Sequence, residues 1–358
     1  MKLVITGGFL GSGKTTAIAG ACRQLIDEQV GVAVITNDQG EQQVDSALIG
    51  SLGIPFREVG NGCFCCKYTQ LDNLIQSLLI DHRPKIIFAE SVGSCTDLIA
   101  TIARPMADFR PELEIVISVF ADASLLMALM DGKASFINDN VRYIYKKQIE
   151  EADILVLNKA DHVSAAQLDI IEAFVSNEFP RKVTLRQDSN DPDDIRLWLE
   201  AIEHFRLETP RKSLTIDYDL YADGEAQLAW FDHYISIESD RPDAVEIGFA
   251  IAREINSAIN RKGLVIGHLK FIIETSGWKQ KLSFTTTGKD QNDDHDAPES
   301  NKCGVLINAR VQTDPSTLKQ LVDEELKKIA GKYSCKIIPG RSSSFSPGYP
   351  VPEHRIID

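Results

Sequence analysis

With 358 residues the chain exceeds what a single hydrophobic core usually supports, so two domains are expected. Its make-up, 43% hydrophobic and 25% charged, is that of a globular protein able to bury a sizeable core. The formal net charge of −14 argues against nucleic acid and anionic membranes as partners, since both need a basic surface.

The first six residues are too few for an apolar leader and run straight into a glycine-rich loop. No apolar run approaches the ~18 residues of a membrane span. Three of the seven cysteines are crowded into 63–66, which points to metal or redox chemistry rather than to disulfides. The expected compartment is the cytoplasm.

Apolar, strand-like runs occur at 2–6, 30–36, 85–90, 114–121 and 154–157. Amphipathic, helix-like stretches at 15–29, 68–79, 140–152 and 164–179 alternate with them. This order predicts an α/β domain over 1–205, a mostly parallel sheet covered by helices. Ligands of such sheets bind at the carboxyl ends of strands.

The alternation fades near Glu203, and residues 206–229 read as a linker. Over 230–340 the order is strand (231–238), helix (242–260), two strands (269–274, 281–286), strand (304–311), helix (315–330) and a short strand (334–338). That succession predicts a smaller α+β domain with an antiparallel, ferredoxin-like sheet. The acidic stretch 290–300 reads as a loop, and 341–358, rich in serine and proline, as an extended tail.

The segment Gly8-Phe9-Leu10-Gly11-Ser12-Gly13-Lys14-Thr15 fits G-x-x-x-x-G-K-[ST] and lies between the first strand and the first helix. Its glycines let successive backbone N–H groups face phosphate oxygens, and the helix N-terminus adds partial positive charge. Lys14, expected to be exposed in an empty loop, would reach the terminal phosphates, and the Thr15 hydroxyl would ligate Mg²⁺.

Asn158-Lys159-Ala160-Asp161 follows the strand at 154–157. An Asp in an N-K-x-D segment accepts from the ring N–H and the exocyclic amine of guanine. Adenine presents an acceptor there and would leave a carboxylate unpaired, so GTP is the expected nucleotide. Two strand ends offer groups that could sense the γ-phosphate. One holds Asp38 and Glu41; the other holds Glu90, a candidate for Mg²⁺ or water, with Gly93 three residues on.

In Gly60-Asn61-Gly62-Cys63-Phe64-Cys65-Cys66, an extended loop would point Cys63 and Cys65 to one side, and Cys66 could turn in at the next helix. That helix N-terminus would favour thiolates. Three thiolates suit Zn²⁺ and also Co²⁺, Ni²⁺ or Cu⁺, with a fourth position for water, another side chain or a partner.

Taken in order, the loop G-F-L-G-S-G-K-T-T, then N-D-x-G-E, G-C-x-C-C, E-S-x-G and N-K-x-D resemble the CobW-type metallochaperone GTPases. These are related to the GTPases that assist nickel insertion into hydrogenase and urease and that service B12-dependent mutases. The resemblance is strong over residues 1–180 and only architectural beyond.

It implies GTP-dependent delivery of a metal, zinc first and cobalt or another next, to a metal- or corrinoid-dependent client. It implies phosphate binding at Gly8, Gly11, Ser12, Gly13, Lys14, Thr15 and Thr16, and guanine recognition at Asn158, Lys159 and Asp161. Metal binding falls on Cys63, Cys65 and Cys66, and a Walker-B-like role on Glu90.

The chain departs from the family pattern in three places. Asp38 stands where the family usually has Glu, Ser91-Val92-Gly93-Ser94-Cys95 sets a thiol beside a switch segment, and the 290–300 loop holds only His295. The alternative reading is a GTP-regulated interaction protein with a structural zinc. A homodimer is compatible with either.

Overall fold

A computed structural model describes residues 1–37, 44–50, 52–60, 62–132, 138–180, 182–286 and 297–358. These form two compact units. The first comprises residues 1–37, Asp45–Gly224 and Tyr349–Asp358, and the second comprises Val44 and Glu225–Gly348. Asp38, Glu41 and His295 lie outside the described residues.

In the first unit β1 (Lys2–Gly8) leads into α1 (Lys14–Asp27), then β2 (Val32–Asn37), α2 (Val44–Gly50) and β3 (Phe56–Val59). There follow α3 (Tyr68–Asp81), β4 (Ile86–Glu90), α4 (Arg104–Phe109), β5 (Glu114–Asp122), α5 (Ala123–Met130) and α6 (Asp139–Glu151). The series closes with β6 (Ile154–Asn158), α7 (Ala165–Glu178), β7 (Val183–Gln187), α8 (Pro192–His204) and α9 (Tyr218–Ala226). Seven parallel strands run in the order β3-β2-β4-β1-β5-β6-β7. With the glycine-rich loop after β1, this is the expected P-loop nucleotide-binding sheet.

Successive strand residues face opposite sides of a sheet. Val4, Val34, Phe88 and Val116 pack with α1 and α8 in one core, where Trp198 sits between Phe88 and Phe120. The alternate residues Leu3, Ile5, Ile35, Ile87 and Ile117 are equally buried, so both faces are covered. Burial on both sides makes the central strands read as continuous apolar runs. The sequence reading missed β3 and β7, which lie at the two edges of the sheet. Both are short and only partly buried, so neither presents such a run.

The second unit follows β8 (Leu228–Glu238), α10 (Ala244–Arg261), β9 (Ile266–Thr275), β10 (Trp278–Phe284), β11 (Lys302–Gln312), α11 (Pro315–Tyr333) and β12 (Lys336–Phe345). Its antiparallel pairs give the order β10-β9-β11-β8-β12. With β10 set aside as an added edge strand, the succession is the β-α-β-β-α-β of a ferredoxin-like sheet.

Two segments are more ordered than expected. The stretch 206–229 contains α9 and the start of β8, and the tail from 341 begins as β12, paired with β8 through Phe345. No residue of β12 is fully buried, so its run of small polar residues hid a strand whose backbone pairing holds it.

A buried ion pair crosses this second sheet. Arg310 on β11 donates to the Asp232 carboxylate at 2.7 Å and stacks 4.0 Å from the Trp230 ring. Removing one member of such a pair strands the other charge. Asp232→Ala is therefore expected to destabilise the second unit by about 3–5 kcal/mol in urea denaturation. A loss below about 1 kcal/mol would show that the guanidinium relies on its carbonyl acceptors instead.

Candidate nucleotide and thiol site

The loop between β1 and α1 takes conformations that its glycines make accessible. Gly8 has φ +122, and a Cβ there would stand 2.2 Å from the Phe120 carbonyl oxygen. Gly13 has φ +94, and its Cβ would meet the Asn158 amide nitrogen at 2.1 Å. Gly11 is also left-handed, at φ +73. The Ser12 hydroxyl is buried without a hydrogen-bond partner, which suits a group that takes up an oxyanion. Lys14 is buried rather than exposed. It folds back to donate to the carbonyl oxygens of Gly8 (2.7 Å) and Phe9 (3.2 Å), which compensates its charge. Thr15 and Thr16 follow in the first turn of α1.

Glu90 ends β4 in register with Thr6 of β1 and Thr36 of β2. Its carboxylate accepts from the Thr15 hydroxyl at 2.8 Å, so a hydroxyl and a carboxylate stand together beside the phosphate loop. Hard oxygen donors in that arrangement fit Mg²⁺. Gly93 lies so close to the loop that a Cβ would sit 2.9 Å from the Leu10 nitrogen. The Gln148 side chain on α6 donates to the carbonyls of Gly93 (3.0 Å) and Cys95 (2.8 Å). Glu151, one turn on, accepts from the Ile99 N–H and the Thr96 hydroxyl.

Asn158 ends β6 in register with Asp122 of β5. Its amide donates to the Ser12 carbonyl at 2.6 Å, and its carbonyl accepts from Ser189 at 2.7 Å. Lys159, at φ +57, reaches the Asp122 carboxylate at 2.8 Å. Asp161, by contrast, is half exposed, 3.4 Å from the His162 ring. An accessible carboxylate can take two donors from a base edge.

The three clustered thiols converge by a turn, not by extension. Phe64 is helical (φ −53, ψ −38), Cys65–Lys67 forms a 3-10 turn, and the Cys66 N–H donates to the Cys63 carbonyl. The Cys63 sulfur lies 2.7 Å from Cys65 and 3.1 Å from Cys66. All three sulfurs fall within 4.8 Å of one another. Asn37, at the end of β2, holds this turn: its amide donates to the carbonyls of Val59 and Gly62, and its oxygen accepts from the Phe64 N–H.

Hydrogen bonds from Cys65, Cys66 and Cys95 hold the Cys63 thiol well below the usual range. Cys66 is pushed up to about 11, chiefly by its hydrogen bond to Cys63, and Cys65 is raised as well. Among the three, Cys63 is thus the thiol most readily ionised, and its charge opposes ionisation of the other two.

The segment Tyr349–Asp358 crosses the same turn. The Glu353 N–H donates to the Cys65 carbonyl at 2.9 Å, and its carboxylate accepts from the Thr69 N–H and hydroxyl, capping α3. Arg355 pairs with buried Asp97 at 2.7 Å. The His354 ring meets Tyr68 edge-on.

A family model described as CobW/HypB/UreG, nucleotide-binding domain, matches residues 2–183, half of the chain. The chain belongs to this family. The zinc chaperone YjiA of Escherichia coli (strain K12) is 33% identical over 176 residues, 47% of this chain and 52% of that protein. The zinc chaperone YeiR of the same organism is 32% identical over 214 residues, 58% of each. The chain thus spans only about half to three-fifths of the curated relatives it matches. A crystal structure of HypB from Helicobacter pylori in complex with nickel is similar with a TM-score of 0.42 at 14% identity, covering 60% of this chain and 91% of that one. No helix among the described residues is long and apolar enough to cross a membrane.

Sequence reasoning placed Asn37 in the N-D-x-G-E segment without a role of its own, and did not single out Asp122, Gln148, Glu151 or Glu353. Asp122 had a usable signal, a carboxylate at the end of a central strand. The others act by long-range contacts that carry none. Burial, with Asp97 nearby, raises the Glu151 carboxyl to about 7 from an ordinary 4.5. The stability it contributes is full below pH 4.5 and is lost as pH rises through about 7. Glu151→Gln should flatten stability between pH 5 and 8 and stabilise the protein at pH 8 by on the order of 3 kcal/mol. Denaturant midpoints across that range check it; unchanged pH dependence would place the titration elsewhere.

Proposed function

We propose that this protein is a GTP-hydrolysing metal carrier that binds a transition metal, zinc first, at Cys63, Cys65 and Cys66 and passes it to a client metalloprotein or corrinoid protein in the cytoplasm. One observation carries this reading: three thiols, two of them buried, converge on a turn that Asn37 ties to the end of β2, on the sheet whose β4 ends in Glu90, the partner of Thr15. The family membership and the zinc-chaperone relatives support it.

In this reading the N–H groups of residues 8–15 cradle the phosphates, and Lys14 exchanges its two carbonyl acceptors for phosphate oxygens. Thr15 and Glu90 would hold Mg²⁺, which neutralises charge developing on the phosphates. Glu90, Asp38 and Glu41 orient water and sense the γ-phosphate, with the Gly93 N–H contributing. Asn158 braces the phosphate loop, Lys159 is fixed by Asp122, and Asp161 reads guanine.

The base reading predicts that GTP displaces labelled nucleotide far better than ATP, and that Asp161→Asn moves the preference toward xanthine nucleotides. Equal competition by ATP would end it. The carrier reading predicts that metal affinity, titrated without oxygen, changes roughly 5- to 150-fold between a non-hydrolysable GTP analogue and GDP. A metal affinity indifferent to nucleotide would mean a structural zinc.

A further inference from the structure

The segment Tyr349–Asp358 takes no regular secondary structure, yet it is fixed to the first unit at several points. Glu353 sits on the thiol turn. Its N–H donates to the Cys65 carbonyl at 2.9 Å, and its carboxylate accepts from the Thr69 N–H and hydroxyl, each at 2.7 Å. The His354 ring stands edge-on to Tyr68 and to Phe109, at 4.8 and 5.5 Å between centroids.

The next two residues grip a different part of the chain. Arg355 donates to the Asp97 carboxylate at 2.7 Å, and the Ile356 N–H donates to the Ala100 carbonyl at 2.8 Å. Asp97 lies in the loop after β4, fully buried and left-handed at φ +65, with the Tyr218 hydroxyl as a second donor at 2.8 Å. Its counter-charge comes from the segment, and a buried carboxylate without one is costly. Loop and segment are therefore bound to move together.

The grip is polar and sparse. Val351 and Ile357 are 68% and 59% exposed, so little apolar surface holds the segment down. A stretch held by a few discrete contacts opens locally far more readily than a core element does.

We propose that Tyr349–Asp358 is a clasp that positions the thiol turn, Glu353 holding the turn and Arg355 holding the loop after β4. Only two peptide units separate these residues, at most about 7 Å of chain, so a displacement of Asp97 is felt at the Cys65 carbonyl. The proposal takes its purpose from the carrier reading. The same loop starts beside Glu90, the partner of Thr15, and its Gly93 packs on Leu10 of the phosphate loop. A shift of that loop on the γ-phosphate is relayed by Asp97 and Arg355 to the turn, which loosens the sulfurs for transfer.

Iodoacetamide pulse labelling of the metal-free, full-length protein, read by peptide mass spectrometry, tests the clasp without metal. Arg355→Ala and Glu353→Ala should each label the Cys63–Cys66 peptide roughly tenfold faster or more, the effect of one lost charge-assisted hydrogen bond. Buried Cys22 and Cys303 serve as internal controls and should keep their rates. Arg355→Lys and Glu353→Gln, which keep a donor and an acceptor, should restore most of the protection. Unchanged labelling at the turn overturns the clasp, and so does an equal rise at Cys22 and Cys303. Glu353 is exposed, so its replacement leaves the fold intact and decides the matter if Arg355→Ala does not fold. Anaerobic Co²⁺ titration tests the relay: the difference in metal affinity between a non-hydrolysable GTP analogue and GDP should shrink toward none in Arg355→Ala. A difference kept in full overturns the relay and leaves the carrier reading standing. No difference in the unaltered protein sinks the carrier reading and the relay, while the labelling rates still decide the clasp.

Discussion

The parallel register of the first sheet is the constraint on which the site depends. Thr6 stands opposite Glu90, Glu90 opposite Thr36, and Asp122 opposite Asn158, so the strands end together at one edge. Parallel strands buried on both faces have little freedom to slip, because a one-residue shift exchanges the side chains of the two faces. Each strand-end residue therefore meets a partner far away in the chain. Glu90 meets Thr15, Lys159 meets Asp122, and Asn158 meets the Ser12 carbonyl.

The thiol turn is built differently. It has no regular pairing of its own, and two separate segments hold it: Asn37 from β2 and Glu353 from the C-terminal segment. Asn37 ends β2, whose neighbour β4 ends in Glu90, the partner of Thr15 beside the phosphate loop. A segment whose geometry comes from its neighbours follows them when they shift, which is the physical content of linkage between two sites. The C-terminal segment adds a contact of another kind, since Arg355 also binds Asp97 and so joins the turn to the loop after β4.

The second unit spends its polar interior otherwise. Arg310, Asp232 and Asn308 form a hydrogen-bonded group within the sheet, with Trp230 stacked on the guanidinium. Such a group is costly to assemble and costlier to break, so it specifies one pairing of β8 with β11. No phosphate loop occurs there.

Much of this was legible in the chain alone. Central strands announce themselves because burial on both faces demands unbroken apolar runs, and the phosphate loop because only glycine tolerates the positions taken by Gly8 and Gly13. Edge strands β3 and β7, half exposed, carry no such demand and were missed. The crowding of Cys63, Cys65 and Cys66 identified a metal-type cluster, yet the local backbone expected for it was wrong, since a 3-10 turn brings the sulfurs together. By itself the sequence determined the nucleotide fold, its loop and the thiol chemistry, because these follow from residue types at short, fixed spacings. Only the tertiary structure decided that Lys14 is folded back, that Asn37 ties down the thiol turn, and that Glu353 caps the helix beside the thiols. Those contacts join residues that are distant along the chain, and no local pattern encodes which of them will meet.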